Sequence, residues 1–418
     1  MGPVYAQPKV EQETVSARIV SVTPMVPFDG VPHAGGQYYL RHLRALAALG
    51  HRITILAPDS PDNRVGRLAL RNEFRVELLA VSTPLGRRLA DFSDKQQARL
   101  FPVRPVARIR RAFSGSTVAR RLVETADVVE YQWTETAWLA AHLPAPSARH
   151  VVVVHDVLSQ SYERFLEASA AAPLPQRLLA RWRRFIVARD ERRVYSKADV
   201  AVTFSAKDVD VIHRCAGAAA PARVVRPPLA GVESAEHADP GTTTAPVVLF
   251  VGAFDRSVNA DAAEWAATEI LPIVRARHPR VRFVFAGANP TPRMHELAAD
   301  LDAVEVTGRV ETLDPYYADA AAVLVPLRSG AGVKFKTVEA MVRGIPVVST
   351  TVGVEGIVDD RLHVFAVADE ADALARGVIA VLDDPAAARA DARGVRAAAR
   401  AEFSAAQFER SLAEVYGS

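Results

Sequence analysis

The sequence predicts an α/β protein made of two parallel-sheet domains, and three observations carry that expectation. Its 418 residues exceed what one hydrophobic core usually organises. Short, continuously apolar runs alternate with helix-length segments, as parallel strands covered on both faces do. The alternation stops at residues 231–246 (GVESAEHADPGTTTAP), which are rich in Gly, Pro, Ser, Thr and acids and have no hydrophobic period, and then it restarts. The expected organisation is a flexible tail over 1–16, an N-terminal domain over 17–230, a linker over 231–246 and a C-terminal domain over 247–402. A final helix over 403–418 is expected to pack back toward the N-terminal domain.

In the first half, RIVSVTP from Arg18 reads as a buried strand. Leu40, Leu43, Leu46 and Ala47 follow at helical spacing, with Gly50 as the stop. RITILAP, FRVELLA, DVVEY, RHVVVVHD and DVAVTFS supply five more strands. After the linker come VVLFVG, a helix through Trp265 and Ile270, then VRFVFAG, VEVTG, AAVLVP, a helix around Glu339, and IPVVST. From about Asp384 the chain is Ala- and Arg-rich and helical, and Phe403, Phe408, Leu412 and Tyr416 fall near one face of its last helix.

Composition narrows the function. Half the residues are hydrophobic and 24% charged, ordinary values for a globular chain with little disorder. A net charge of +3 is too small to imply nucleic acid. Cys215 is the only cysteine, so neither an intrachain disulfide nor a cysteine metal cluster can form. The polar N-terminal tail lacks a signal peptide's apolar core, and no run approaches the roughly 20 apolar residues of a spanning helix. The expected location is cytoplasmic, with any membrane contact peripheral, at the inner face.

Three places can carry chemistry. HAGG (33–36) lies between the first strand and first helix, where glycines let backbone N–H groups approach a ligand; a tight turn without ligand fits the same spacing. His155 ends a run of four valines, so it sits at the carboxyl end of a predicted strand, able to bond a hydroxyl or merely to cap the strand. The strongest signal is SGAGVKFKTVEAMVRGIPVVST from Ser329. Gly330 and Gly332 free the backbone there, and the following helix aims its N–H groups and positive dipole end at the same space, which suits a diphosphate. Lysine is scarce, occurring elsewhere only at Lys9, Lys95, Lys197 and Lys207, so Lys334 and Lys336 inside a glycine loop are notable. Glu339, three residues past Lys336, can accept two bonds from a ribose diol or simply favour the helix start.

These segments resemble glycosyltransferase family 4, the group 1 type, with the GT-B fold. The resemblance rests on HAGGQYYLRHLRALAALGHRITILAP, ADVAVTFSAKD, VGAFDRSVNADAAEW, FVFAGANP and VTGRV, and above all on VPLRSGAGVKFKTVEAMVRGIPVVSTTVGVEGI. It implies two Rossmann-like domains whose parallel sheets face across an interdomain cleft, the C-terminal one holding a nucleotide-sugar donor. It also implies that Glu339 grips the donor ribose, that Gly330, Gly332 and Val333 contact the diphosphate or sugar, and that Gly252 belongs to the donor site. Gly308, Arg309 and Val310 would lie against the base, His155 near the reacting centre, and Gly35 with Gly36 in the loop closing on the phosphates.

The chain departs from the family where many members carry a second glutamate, at Ala331, and two basic residues, at Ala253 and Val258. Arg256, Lys334 and Lys336 are expected to replace that positive charge, in a G-x-G-x-K-x-K-x-x-E branch similar to transferases of surface-polysaccharide assembly. The expected reaction moves a sugar to an acceptor hydroxyl with retention, Lys334, Lys336 and His155 being catalytic. No metal or other cofactor is required. The acceptor is a sugar, a lipid-linked molecule or a small molecule, and nucleic acid is not a partner. Two rival readings are an inactive homologue acting as a binding subunit and a nucleotide-sugar epimerase. The Arg-rich segments 104–113 and 177–193, interleaved with Trp182, Phe185 and Ile186, fit an anionic membrane surface, acidic acceptors, or an ordinary helix whose apolar side is in the core.

Overall fold

A computed structural model describes residues 16–31, 34–81, 87–168, 172–218, 220–229, 245–330 and 332–417. Most of the expected tail and linker therefore lies outside the described residues. The strands, in chain order, are β1 (Arg18–Val22), β2 (Arg52–Pro58), β3 (Arg75–Leu79), β4 (Val128–Gln132), β5 (Arg149–Val153), β6 (Val200–Thr203) and β7 (Ala222–Val224). Then come β8 (Val247–Val251), β9 (Arg282–Ala286), β10 (Val304–Gly308), β11 (Ala320–Val325), β12 (Val347–Ser349) and β13 (Ala366–Val367). They form a seven-stranded sheet in the order β3-β2-β1-β4-β5-β6-β7 and a six-stranded sheet in the order β10-β9-β8-β11-β12-β13. The registered pairs are parallel, for example Ile19 beside Ile53 and Val128, and Leu249 beside Val284 and Val323. The fold is α/β, as the alternating pattern predicts.

Residue contacts divide the chain into two compact units. The first comprises residues 1–154, 189–202 and 409–418, and the second comprises residues 155–188 and 203–408.

In the first unit the helix Ala34–Ala48 buries Tyr38, Tyr39, Leu40, Leu43 and Leu46, the face set by their spacing. At the centre of this unit stands a carboxylate with no solvent exposure. Glu130 on β4 accepts bonds from Ser21 at 2.6 Å, Gln132 at 2.7 Å and the Tyr416 hydroxyl, and pairs with His42 Nε2 at 2.6 Å. Burial pushes its pKa up, but the His42 charge and these donors outweigh burial and bring it down to about 2. Because the folded value lies below the ordinary 4.5, Glu130 stabilises the fold fully above that pH, and the contribution is lost as pH falls toward 2.

The second unit has its own continuous core, built on Phe250, Phe283, Phe285, Val323, Leu324, Val348 and Trp265. Its strand order reverses between β8 and β11, and open α/β sheets take their ligands at the carboxyl ends of the strands where the order reverses. Gly252 follows β8 and the Gly330–Gly332 loop follows β11. Two glycine backbones also touch at this end. A Cβ on Gly287, whose φ is +147°, would collide with the Gly252 carbonyl. The expected helix through Trp265 and Ile270 is interrupted by a π turn, Ala266–Ile270, before continuing as Leu271–Arg277. Pro272, which has no N–H to donate, accounts for the break.

The Glu130 cluster makes one prediction. Tyr416→Phe removes a donor to a fully buried carboxylate and should lower unfolding free energy by roughly 1.5–3 kcal/mol. Denaturant unfolding near neutral pH measures it, and an unchanged midpoint would mean that Tyr416 adds nothing to the anchor.

Candidate functional site

The helix Phe335–Arg343 begins directly after the glycine loop and ends at Gly344, which adopts the left-handed conformation with φ +71°. Its N-terminal groups therefore lie at the carboxyl end of β11. Gly330 and Gly332 also have positive φ, +118° and +75°, which an L-residue adopts only with strain. At Gly332 a side chain has no room either, since a Cβ would come within 2.6 Å of Asp156 Oδ1.

Both loop lysines are turned inward. Lys336 donates to Asn259 Oδ1 at 2.9 Å and lies 4.3 Å from the centre of the Phe250 ring. Burial, then the charges of Arg256 and Lys334, bring its amine down to about 7. Lys334 donates to the Gly332 carbonyl at 2.6 Å and stands 3.8 Å from Glu355. Burial and the neighbouring Arg164 charge lower it to about 8, against the pull of Asp156. Asn259 in turn donates to the Ala253 carbonyl at 2.7 Å and packs against Gly252. Gly252, Asn259, Lys336 and the glycine loop are thus one assembly. Arg256, exposed at the start of the helix Ser257–Trp265, adds its field to the same space.

Glu339 lies one turn further along, half-buried. Tyr317 donates to its Oε2 at 3.1 Å and Arg343 approaches its Oε1 at 3.4 Å. Burial raises its pKa, and the charge of Arg343 and the Tyr317 bond offset only part of that rise. Arg309 is exposed and Val310 half-buried just beyond β10, following Gly308 at φ +69°. Val333 is half-buried in the loop. His155 is buried, with Phe204 edge-on at 5.3 Å between ring centres, and contacts group it with the second unit. Gly35 and Gly36 belong to the first unit, inside the first turn of the helix Ala34–Ala48. The helix starts earlier than a turn reading places it, because Tyr38, Tyr39 and Leu40 already need its register to reach the core. His33 and Ala331 lie outside the described residues.

Four residues that the sequence did not single out complete the assembly. Glu355, in the segment VGVEGI, receives Arg164 and Lys207 as ion pairs as well as facing Lys334. Arg164 also donates to the Gly330 carbonyl, so one guanidinium ties the glycine loop to that carboxylate. Asp156 presses on Gly332, and burial, with Asp208 nearby, raises it to about 6 against the attraction of Lys334 and Arg256. Lys207 and Glu355 stand inside the quoted segments ADVAVTFSAKD and VGVEGI, which was the one available signal. The result is a concentration of ammonium and guanidinium groups around a glycine-containing loop and a helix N-terminus, an arrangement that stabilises an anion.

Residues 245–384 match the family described as Glycosyl transferases group 1. The second unit of this chain carries a group 1 glycosyltransferase domain. The matched segment spans β8 to the end of the helix Ala371–Asp383 and so contains the whole lysine and glycine loop with Glu339 and Glu355. No curated protein sequence matches the chain. Among solved structures, sucrose-phosphate synthase (tll1590) from Thermosynechococcus elongatus is similar at TM-score 0.65 and 19% identity, over 96% of this chain and 98% of that one. Anabaena Alr3699/HepE in complex with UDP is similar at TM-score 0.62 and 16% identity, over 96% and 99%. WaaG, a glycosyltransferase involved in lipopolysaccharide biosynthesis, is similar at TM-score 0.59 and 16% identity, over 96% and 100%. These likenesses give the glycosyltransferase its fold, GT-B.

The inward-turned lysines carry a stability cost that can be read directly. Because Lys336 and Lys334 hold their protons less tightly than in an unfolded chain, the unfolded state binds more protons and stability should rise with pH above about 7. Lys334→Met with Lys336→Met should therefore melt higher than the parent, and by more at about pH 6 than at about pH 10. A lower melting temperature at both pH values would mean that the ammoniums are satisfied structural groups.

Proposed function

We propose that this glycosyltransferase moves a sugar from a nucleotide-sugar donor to an acceptor hydroxyl, with retention of anomeric configuration and without a metal ion. The single observation that carries the reading is the pair of inward-turned amines, buried Lys334 and half-buried Lys336, beside the Gly330–Gly332 loop and the N-terminus of the helix Phe335–Arg343. As the anomeric bond breaks, negative charge accumulates on the leaving diphosphate. Fixed cations and backbone N–H groups in a partly desolvated site stabilise that charge most at the transition state. Arg256 adds a third cation at the rim. The comparisons support the donor class: structures of the Anabaena protein hold UDP, UDP with glucose, or UDP-glucose.

Within this reading Glu339 binds the ribose diol. Tyr317 and Arg343 hold its carboxylate in place. Gly252, Gly330, Gly332 and Val333 approach the diphosphate and sugar through backbone, Arg309 and Val310 flank the base, and Gly35 with Gly36 serve the donor phosphates. His155 contacts the donor sugar or the reacting hydroxyl. The acceptor is a sugar, a lipid-linked molecule or a small molecule, and the place of action is the cytoplasm or the inner face of a membrane.

Lys334→Met with Lys336→Met tests the charge argument. Turnover, followed as release of nucleoside diphosphate, should fall by at least about a hundredfold while nucleoside diphosphate still binds, since the lost interaction is strongest in the transition state. Full turnover in the double variant would remove both lysines from the chemistry. Glu339→Gln tests the ribose contact. Against a panel of nucleoside diphosphates, thermal shift should show affinity weakened by roughly 1.5–3 kcal/mol in a folded protein, and unchanged affinity would sink the assignment.

A further inference from the structure

The helix Leu174–Tyr195 is apolar on two sides. One side is buried through Ala180, Ile186, Val187 and Tyr195. The other projects Leu174, Leu178, Trp182 and Phe185, which are 64%, 54%, 41% and 61% exposed. These positions recur at intervals of four, four and three residues, so they form one stripe along the helix. An ordinary surface helix would have its large apolar residues on the inner face alone.

The charge around the stripe has one sign. Arg177, Arg181, Arg184 and Arg189 fall on or beside it, and no acidic residue occurs between Leu174 and Arg189. The next acids, Asp190 and Glu191, are buried. Glu163, on the preceding helix, pairs with Arg184 at 3.0 Å, while Arg181 and Arg189 are exposed and Arg177 is half-buried. Trp182 and Phe185 stand 6.4 Å apart between ring centres, a paired aromatic surface with a polar N–H at its edge. No helix among the described residues is long and apolar enough to cross a membrane.

We infer that the face made by Leu174, Leu178, Trp182 and Phe185, with its arginines, docks the chain onto an anionic lipid bilayer. The apolar stripe enters the boundary between headgroups and acyl chains, and the guanidiniums pair with lipid phosphates and anionic headgroups. Complementarity of charge selects this occupant: an apolar stripe fringed by arginines matches a negatively charged interface better than it matches a second copy of the same basic face. The inference deepens the membrane location proposed above and rests on that part of the reading, while being independent of the donor chemistry.

Sedimentation of the full chain with unilamellar vesicles tests it, using phosphatidylcholine alone or with roughly a third phosphatidylglycerol. The chain should pellet with the anionic vesicles and stay in the supernatant with the neutral ones, and its bound fraction should fall as salt is raised. Leu178→Glu with Phe185→Glu should weaken binding at least about tenfold. Arg177→Gln with Arg181→Gln should weaken it too while leaving the apolar stripe whole, which keeps the test open should the first variant fold poorly. A chain that stays in the supernatant with both vesicle types overturns the inference, as does a folded pair of variants that bind like the parent. So does a dimer of the parent that the glutamate variant dissolves, without vesicle binding, because the face would then be a contact between copies. Turnover on a water-soluble acceptor should be unchanged in these variants, so failure here and failure of the transferase reading are told apart.

Discussion

Burying a positive charge is the constraint on which the second unit turns. An ammonium loses hydration as it turns into a protein, and among the described residues Lys336 gains the Asn259 side-chain acceptor and the face of Phe250. Such an arrangement survives in a folded chain only because the surrounding core, from Phe250 to Trp265 and Val348, is large enough to carry the deficit. The two glycines of the loop serve the same end. Gly332 brings the main chain close to Asp156, and the loop sets the start of the next helix beside the amines. A protein built for stability alone would place methionines there. The conflict between local stability and local charge is what marks the site.

Glu355 gives this cluster its order. A carboxylate facing three cations holds them at fixed separations that mutual repulsion would otherwise enlarge, and Arg164 passes that order to the loop through the Gly330 carbonyl. Counter-charge for the loop's cations is supplied from distant parts of the chain, by Glu355 and Asp156.

What could be read from the sequence depended on whether the signal was local. The strands of four or more residues stood out because continuous apolar runs such as VVVV before His155 have few other uses. β12, of three residues, was still legible inside the apolar run IPVVST, whereas β7 and β13, ARV and AV, were not, since they give no apolar run of that length. Lys334 and Lys336 were visible through the scarcity of lysine and the neighbouring glycines. Arg164 and Lys207 were not, because their meaning comes from meeting Glu355 across 191 and 148 residues of chain. The Arg-rich helix shows the same limit differently. Its composition was plain, but a helix with apolar residues on two sides gives no single periodic face, so only the fold tells which of those sides is covered.

Tyr416 reaches Glu130 across 286 residues. The first unit is therefore not a segment that can finish folding on its own as it leaves the ribosome. Its central carboxylate waits for a donor translated after the entire glycosyltransferase domain. Completing the N-terminal unit is thus coupled to synthesis of the unit that lies between its parts in the chain.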